Sequence, residues 1–174
     1  MANERTTDAS SHLCATAVSV SAHVWDDDVC TALAWRFRAS TIGHTPIKTH
    51  GADRIRYDLP IGEEVRGKLR QAFPWLTNVS SVGQVYKTSA LTASALDPHT
   101  YSPVVLKEAG CATTHTVLVF LTGGGRSGRC TFGDNTSVHP SPGTAVQFQH
   151  GVTFASQALA PTDPDLLLMV FRAW

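Results

Sequence analysis

The chain has 174 residues, of which 43% are hydrophobic and 16% charged, so it can bury one substantial core. Its fourteen basic and fourteen acidic side chains cancel, and no block of like charge provides the electrostatic footprint of a nucleic-acid-binding protein. The longest apolar stretches are far below the roughly 20 residues that cross a bilayer, and the polar N-terminus is unlike a signal peptide. We therefore expect a soluble, cytoplasmic protein with no nucleic-acid or membrane partner.

Four cysteines, Cys14, Cys30, Cys111 and Cys130, are scattered along the chain without a CxxC pair or a Cys/His spacing typical of metal ligands. A chain of this length can fold without disulfide bonds. Because we find no export signal in the sequence, we do not expect it to enter an oxidising compartment where disulfides form. We therefore expect buried free thiols at these positions.

The N-terminal part begins with a tail and a helix. Residues 1–12 are polar and aperiodic, which predicts a flexible tail. Asp26, Asp27 and Asp28 then precede an apolar helical stripe. Carboxylates at that position stabilise the positive end of a helix dipole, so we predict a helix that starts there and ends near Ser40.

A strand and a second helix follow. Residues 54–59 alternate between apolar and polar side chains, and Pro60 is expected to stop the strand. From Gly62 the sequence is acidic first, then apolar at helical spacing, and Pro74 closes the segment. This pattern predicts a helix.

The chain from Val82 to its C-terminus contains seven short apolar or alternating runs at roughly 8–14-residue spacing, separated by Gly, Pro, Asn and Asp. These runs are VGQVYKT, SPVVLKE, HTVLVFLT, GRCTFG, GTAVQFQH, TFASQAL and DLLLMVFRAW. Such a series is typical of a sandwich or barrel whose closure removes exposed edges. We expect one domain over residues 13–174, with a helical support region at 13–81 and a β core at 82–174.

The order of turns in this β core resembles the double-stranded β-helix, or jelly roll, of the iron(II)/2-oxoglutarate dioxygenases, in particular their prolyl 4-hydroxylase-like branch. His99-Thr100-Tyr101 stands in the place of the HxD motif and Phe120-Leu121-Thr122 in that of a YLN-like turn. Residues 128–132 resemble a GGxTxF turn, and Pro142-Gly143 starts the next strand. The resemblance implies a mainly β jelly roll with the N-terminal helices packed on one sheet.

The sequence matches the turns of that family but lacks most of the residues that would bind iron and 2-oxoglutarate. The resemblance implies an iron site of two His and one carboxylate, but Tyr101 stands at the carboxylate position and Phe154 at that of the second His. The basic residue that would hold 2-oxoglutarate falls near Pro164 or Asp165, and no Lys or Arg lies between Arg129 and Arg172. We therefore expect neither a metal nor another cofactor.

An alternative ligand set would restore the metal. Asp97 and His99 are two residues apart, so on a regular strand they share a face. His150 could act as the second imidazole after a register shift of four residues, which keeps the side chain on the same face. The alternative is thus an iron(II) site of Asp97, His99 and His150 with 2-oxoglutarate as cofactor.

Without metal, the barrel can still serve as a pocket for acid–base chemistry. His99 and Tyr101 would offer an imidazole that titrates near neutrality beside a phenol donor, with His115 and His150 facing them as further catalytic residues. The sequence also offers substrate-binding candidates, namely the two basic residues of a glycine-rich loop and two aromatic side chains: Arg126, Arg129, Phe120 and Phe154. Arg172, near the end of the last strand, could also reach the pocket.

Three functions follow from these observations. The first, which we favour, is a small-molecule enzyme of isomerase, cyclase or lyase type on a dioxygenase-like scaffold that has lost its iron site. The second is an active iron(II)/2-oxoglutarate oxygenase with the atypical ligand set. The third is a non-catalytic binding or scaffold protein, with four tryptophans as candidate interface aromatics: Trp25, Trp35, Trp75 and Trp174. The candidate partners are a small-molecule substrate and a second copy of the chain.

Overall fold

A computed structural model of the chain describes residues 17–40, 43–89, 95–106, 110–133 and 135–174. The predicted tail at residues 1–12 and Cys14 lie outside these ranges. Neither described helix is both long enough and apolar enough to span a bilayer.

Helix α1 (Asp27–Ala39) begins at the acidic triplet, as predicted. Asp26 is the N-cap, and one of its carboxylate oxygens accepts a hydrogen bond from the backbone N–H of Val29 at 2.9 Å. The helix buries one face: Cys30, Leu33, Ala34 and Phe37. Helix α2 (Glu63–Ala72) also confirms its prediction, with two glutamates in its first turn and Leu69 fully buried.

Thirteen strands are present in the described part of the chain. In chain order they are β1 (Val18–Ser21), β2 (Thr45–Thr49), β3 (Ala52–Pro60), β4 (Val82–Thr88), β5 (Leu96–Thr100), β6 (Val105–Leu106), β7 (Cys111–Ala112), β8 (His115–Phe120), β9 (Cys130–Phe132), β10 (Ser137–Val138), β11 (Ala145–Gln149), β12 (Thr153–Ser156) and β13 (Leu166–Ala173). Each of the seven predicted runs contains a strand. The strand predicted at 54–59 is longer than expected, because β3 extends through Pro60 at its last pair with β4.

The strands form two facing antiparallel sheets. The large sheet has the order β1-β11-β8-β13-β4-β3-β2, and the small sheet has the order β10-β9-β12-β5. Strands β6 and β7 form a separate two-stranded ribbon. The chain is therefore mainly β, with both helices packed on one sheet, as the jelly-roll prediction states.

Side chains on the two faces of the large sheet enter different cores. One face packs on both helices and forms the helix-side core, which includes Leu33, Phe37, Leu69, Val117, Val119, Met169 and Phe171. The other face packs on the small sheet and forms the barrel interior, which includes Leu96, Leu118, Phe120, Phe132, Phe148, Phe154 and Leu168. The alternation along β8 and β13 assigns successive residues to opposite cores.

The described cysteines are free thiols, as the sequence predicts. Cys30 and Cys130 are buried, and burial raises the pKa of Cys30 to about 11 and that of Cys130 to about 12. Cys111 is only partly buried. The two buried thiols are thus poor nucleophiles at neutral pH.

Candidate functional site

His99 lies on β5, which pairs with β12 in the small sheet. In this pair His99 is directly opposite Phe154, and their ring centroids are 5.4 Å apart. Phe154 is the residue that the resemblance aligns with the second metal-binding His. The position across the strand pair from His99 is therefore held by a fully buried phenyl ring.

The tautomer of His99 follows from its hydrogen bond. Nδ1 lies 2.9 Å from the backbone carbonyl oxygen of Asp97. Because a carbonyl only accepts, Nδ1 carries the proton, and Nε2 of the neutral ring keeps its lone pair. Burial lowers the pKa of His99, which favours this neutral form at physiological pH.

His50 is a neighbour of His99 that sequence reasoning missed. The two imidazole rings stack, with centroids 3.6 Å apart and planes within 8°. His50 and Gly51 form the turn between β2 and β3, both with positive φ, and the carbonyl of His50 accepts from the N–H of Asp97 at 2.8 Å. A His-Gly pair predicts a tight turn, but it contains no signal that this turn contacts β5.

Tyr101 lies two residues beyond His99, at the position that the resemblance gives to the metal carboxylate. Its ring is 5.4 Å from that of His99 and 5.7 Å from that of Phe148. The guanidinium carbon of Arg172 lies 5.0 Å from the centroid of the Tyr101 ring. Burial raises the pKa of Tyr101 to about 12, so the phenol stays protonated and can act as a hydrogen-bond donor.

Arg54 on β3 and Tyr86 on β4 lie near Tyr101 as well. No sequence pattern predicted a role for either residue. Arg54 is 7% exposed, and its guanidinium carbon lies 5.5 Å from the centroid of the Tyr86 ring. The Tyr86 hydroxyl donates to Oε1 of Gln84 at 3.1 Å. An arginine in an alternating strand is usually solvent-exposed, so its burial here could not be inferred from the pattern.

The alternative metal ligands do not come together. Three steps along β5, from His99 back to Leu96, match only two steps along β12, from Phe154 to Ser156, so a β-bulge falls at Asp97-Pro98. A bulge breaks the alternation that would align Asp97 with His99. Instead, the Asp97 carboxylate lies against Gly51, where a Cβ would be 2.5 Å from its Oδ2.

His150 follows β11 rather than lying on β12. Its N–H donates to the carbonyl oxygen of Thr114, and burial, together with the charge of Arg172, lowers the pKa of His150. Within the described ranges, no group of three or more His, Cys, Asp or Glu side chains could hold a metal ion. These residues do not fit the donor set of two His and one carboxylate.

The four predicted catalytic residues thus fall into two pairs. His99 is with Tyr101, whereas His150 is with His115. His115 is on the face of β8 that carries Val117 and Val119, toward the helix-side core, and its Nδ1 is 2.7 Å from Oγ1 of Thr114. The stacking of Arg172 on Tyr101 connects the two pairs.

The predicted substrate-binding residues lie in two environments. Phe120 and Phe154 are fully buried in the barrel interior. Arg126 and Arg129 are exposed on the glycine-rich loop. Asp163 fixes that loop, because its carboxylate accepts hydrogen bonds from the backbone N–H of Arg126 and Ser127 and from the Ser127 hydroxyl.

The tryptophans differ in exposure. Trp25 is 1% exposed and belongs to the helix-side core, where its ring meets that of Phe171 edge-on at 5.9 Å. Trp35 is 66% exposed and Trp75 44%, so these two are available to a partner.

Comparison with known proteins identifies the fold. No protein-family model matches the chain, and no curated protein matches its sequence. Solved structures do match. A prolyl 4-hydroxylase from Pseudomonas putida has a TM-score of 0.64 at 15% identity, and the alignment covers 90% of this chain and 91% of that one.

Two further structures agree. The viral collagen prolyl hydroxylase of Paramecium bursaria Chlorella virus-1, in its 2-oxoglutarate complex, has a TM-score of 0.63 at 14% identity, covering 91% of this chain and 96% of that one. HygX from Streptomyces hygroscopicus, with nickel and 2-oxoglutarate bound, has a TM-score of 0.55 at 12% identity, covering 90% and 82%. At such identities the likeness shows the fold alone. The chain has the double-stranded β-helix fold of the iron(II)/2-oxoglutarate oxygenases, which confirms the fold that the resemblance implies.

Proposed function

We propose that this protein is a small-molecule enzyme that uses its oxygenase-like scaffold for redox-neutral acid–base chemistry, of the isomerase, cyclase or lyase type, without iron. The observation that carries the proposal is the hydrogen bond from His99 Nδ1 to the carbonyl of Asp97. It leaves Nε2 as a free base beside a phenol donor, while Phe154 occupies the cross-strand position. Loss of the iron site is part of the proposal, and the donor set of the described residues supports it.

The roles of the two residues follow from their protonation states. His99 Nε2 removes a proton from a carbon atom of the substrate, and the resulting imidazolium returns it to another atom or to a leaving group. The Tyr101 phenol donates a hydrogen bond to the oxygen on which negative charge develops. The surrounding phenyl rings limit access of water, which strengthens both interactions. His150 and His115 would modulate the site through Arg172 rather than touch the reacting atoms.

The first test of the proposal is to measure the metal content of the purified protein and its turnover of 2-oxoglutarate. Protein purified without chelator is analysed for metals and then assayed for succinate release from 2-oxoglutarate. We expect less than about one tenth of an equivalent of iron and no succinate above background. Stoichiometric iron with 2-oxoglutarate-dependent succinate release would establish the alternative oxygenase and overturn the metal-free proposal.

Acid–base chemistry is tested by hydrogen exchange. The protein is incubated in D2O with a panel of keto and hydroxy acids, and deuterium incorporation at carbon is followed by NMR. We expect exchange above the spontaneous rate, a loss of about 100-fold or more in His99→Gln, and no loss in His139→Gln. The control removes an exposed imidazole that is bonded to the Gly125 carbonyl, remote in sequence from the site. If no acid of the panel exchanges, the binding-protein alternative replaces the enzyme.

A further inference from the structure

Strand β1 is an edge of the large sheet, and within the described part of the chain no other strand pairs with its outer side. Its inner side pairs with β11 in a regular antiparallel register that places Ser19 opposite Gln147. One residue before β1, the carbonyl oxygen of Ala17 accepts a hydrogen bond from the N–H of Gln149 at 3.0 Å. In this register Ala17 and Gln149 are directly opposite, so they form a hydrogen-bonded pair.

The backbone groups that β1 directs outward follow from that pair. Hydrogen-bonded and non-hydrogen-bonded pairs alternate along an antiparallel ladder. Counting from Ala17, Ser19 and Ser21 bond to β11, whereas the N–H and C=O groups of Val18 and Val20 point away from it. The ladder between β11 and β8 uses the alternate residues of β11, in agreement with this assignment. Two residues of β1 thus offer unused donors and acceptors to another strand.

The other edges of the two main sheets carry features that discourage pairing. At the opposite edge of the large sheet, β2 contains Pro46, which has no N–H, and Lys48. In the small sheet, the edge strand β5 contains Pro98 and a bulge, and the edge strand β10 has only two residues. Strand β1 has the sequence Val-Ser-Val-Ser, with no proline, charge or bulge. Of these four edges, β1 is the one open to another strand.

Exposed apolar side chains flank this edge on both faces of the sheet. Val20 is 47% exposed on the barrel face, where it pairs with Val146. On the helix side, Trp75 is 44% exposed, and its indole N–H donates to Oε1 of Gln147 at 3.3 Å. Gln147 is the residue opposite Ser19, so Trp75 lies one strand away from the edge. A partner strand at β1 would therefore approach apolar surface on either face.

The edge is complementary to a second copy of itself. When two copies of β1 pair antiparallel about a twofold axis at Ser19, Val18 of one copy lies opposite Val20 of the other. These are the residues whose backbone groups point outward, and each such pair exchanges both of its N–H···O bonds. Ser19 then lies opposite its own counterpart, and no like charges meet across the axis. A single isologous contact uses every outward group of both valines.

We propose that the chain forms a symmetric homodimer in which β1 of each copy pairs antiparallel about Ser19 and joins the two large sheets into one. Val20 lies beside the joint on the barrel face and Trp75 on the helix face. A four-residue strand buries a small area, so we expect a weak dimer with a Kd on the order of 10 µM. This inference is independent of the proposed enzymatic function.

Sedimentation velocity between about 2 and 200 µM protein tests the proposal, and we expect a monomer–dimer equilibrium over this range. Ser19→Lys and Ser19→Glu each place like charges opposite one another across the axis and should weaken self-association by at least about tenfold. An equimolar mixture of the two variants should regain the dimer, because opposite charges then meet. Recovery in the mixture also shows that both variants fold.

The matched control carries the same charges at the other edge of the sheet. Thr45 is exposed on β2, so Thr45→Lys and Thr45→Glu should leave the dimer unchanged. A second variant tests the hydrogen bonds. Val20→Pro removes an outward N–H without breaking the β1–β11 ladder, and it should weaken the dimer by at least about tenfold while leaving the circular dichroism spectrum of the monomer unchanged.

Amide hydrogen exchange measured by NMR locates the contact. Exchange of the Val18 and Val20 N–H groups should slow as the protein concentration rises. A monomer at every concentration, a dimer that tolerates Ser19→Lys, or a mixture of folded Ser19 variants without recovery would each overturn the proposal. Protection of the Val18 and Val20 N–H groups in a monomer would overturn it as well, because another segment of the same chain would then occupy the edge.

Discussion

The two faces of the large sheet differ in what they bury. The helix-side core is filled with apolar side chains from both helices and from β4, β8 and β13. The barrel interior is equally buried, but its phenyl rings lie next to the partly buried Tyr86 and Tyr101, and it also contains Arg54, which is 7% exposed and forms no ion pair with a described side chain. The helix-side face thus contributes mainly apolar packing, whereas the barrel face also buries the charge of Arg54. Because a buried charge lowers stability unless it is compensated, replacing a buried side chain should have opposite effects on the two faces.

The largest change in the free energy of unfolding is expected for a variant in the helix-side core. Phe171 is fully buried and contacts Trp25. Phe171→Ala removes a large ring from a packed site and should lower the free energy of unfolding by about 3–5 kcal/mol. Urea denaturation followed by circular dichroism measures this value. Val82→Ala, at a 39% exposed position of β4, is the matched control and should cost much less. A small loss for Phe171→Ala would show that this face is loosely packed.

In the barrel interior, by contrast, we expect a substitution of a buried side chain not to lower the free energy of unfolding. Arg54→Met keeps the length of the side chain and removes a buried charge, so it should leave the free energy of unfolding unchanged or raise it by about 1–2 kcal/mol. Arg56→Met breaks an exposed ion pair with Asp58 and should lower stability by less than about 1 kcal/mol. The same denaturation experiment measures both variants. A loss of several kcal/mol in Arg54→Met would mean that the guanidinium is compensated within the folded chain.

The smallest effect concerns the glycine-rich loop, which lies outside both cores. The hydrogen bond from the Ser127 hydroxyl holds the pKa of Asp163 below its ordinary value of 3.8. A carboxyl whose folded pKa is lowered stabilises the fold above its unfolded pKa, and this contribution disappears as the pH falls through the folded pKa.

We therefore expect Asp163→Asn to lower the melting temperature at pH 7 and the gap from the wild type to close as the pH falls below 3.8. Thermal melts across this pH range give the measurement, and Asp58→Asn, an exposed carboxylate of β3, serves as the comparison. A gap that stays constant with pH would mean that the charge of Asp163 does not contribute.

The sequence predicts features that local chemistry determines. The acidic triplet at Asp26 fixes the start of α1 because capping involves residues four positions apart or fewer. The alternation of β13 assigns Met169 to one core and Leu168 to the other, and the order of turns predicted the jelly roll. In the β5–β12 register, Phe154 lies opposite His99.

Other features depend on contacts between distant segments, and no local pattern reports them. The bulge at Asp97-Pro98 separates a pair that regular alternation would align. The stacking of His50 on His99 depends on where the β2–β3 turn packs, and burial of Arg54 depends on closure of the small sheet over β3. For the same reason no sequence pattern indicated the contact between Arg54 and Tyr86.

The turn at His50-Gly51 also limits how the site can change. Gly51 has a φ of +79°, and a methyl group there would collide with the Asp97 carboxylate on the strand that carries His99. A larger residue at this position would be strained in the positive-φ conformation and would displace the exposed Asp97 side chain. Because the backbone carbonyl of His50 also accepts a hydrogen bond from the N–H of Asp97, a change in the backbone of this turn would be transmitted directly to the strand that carries His99.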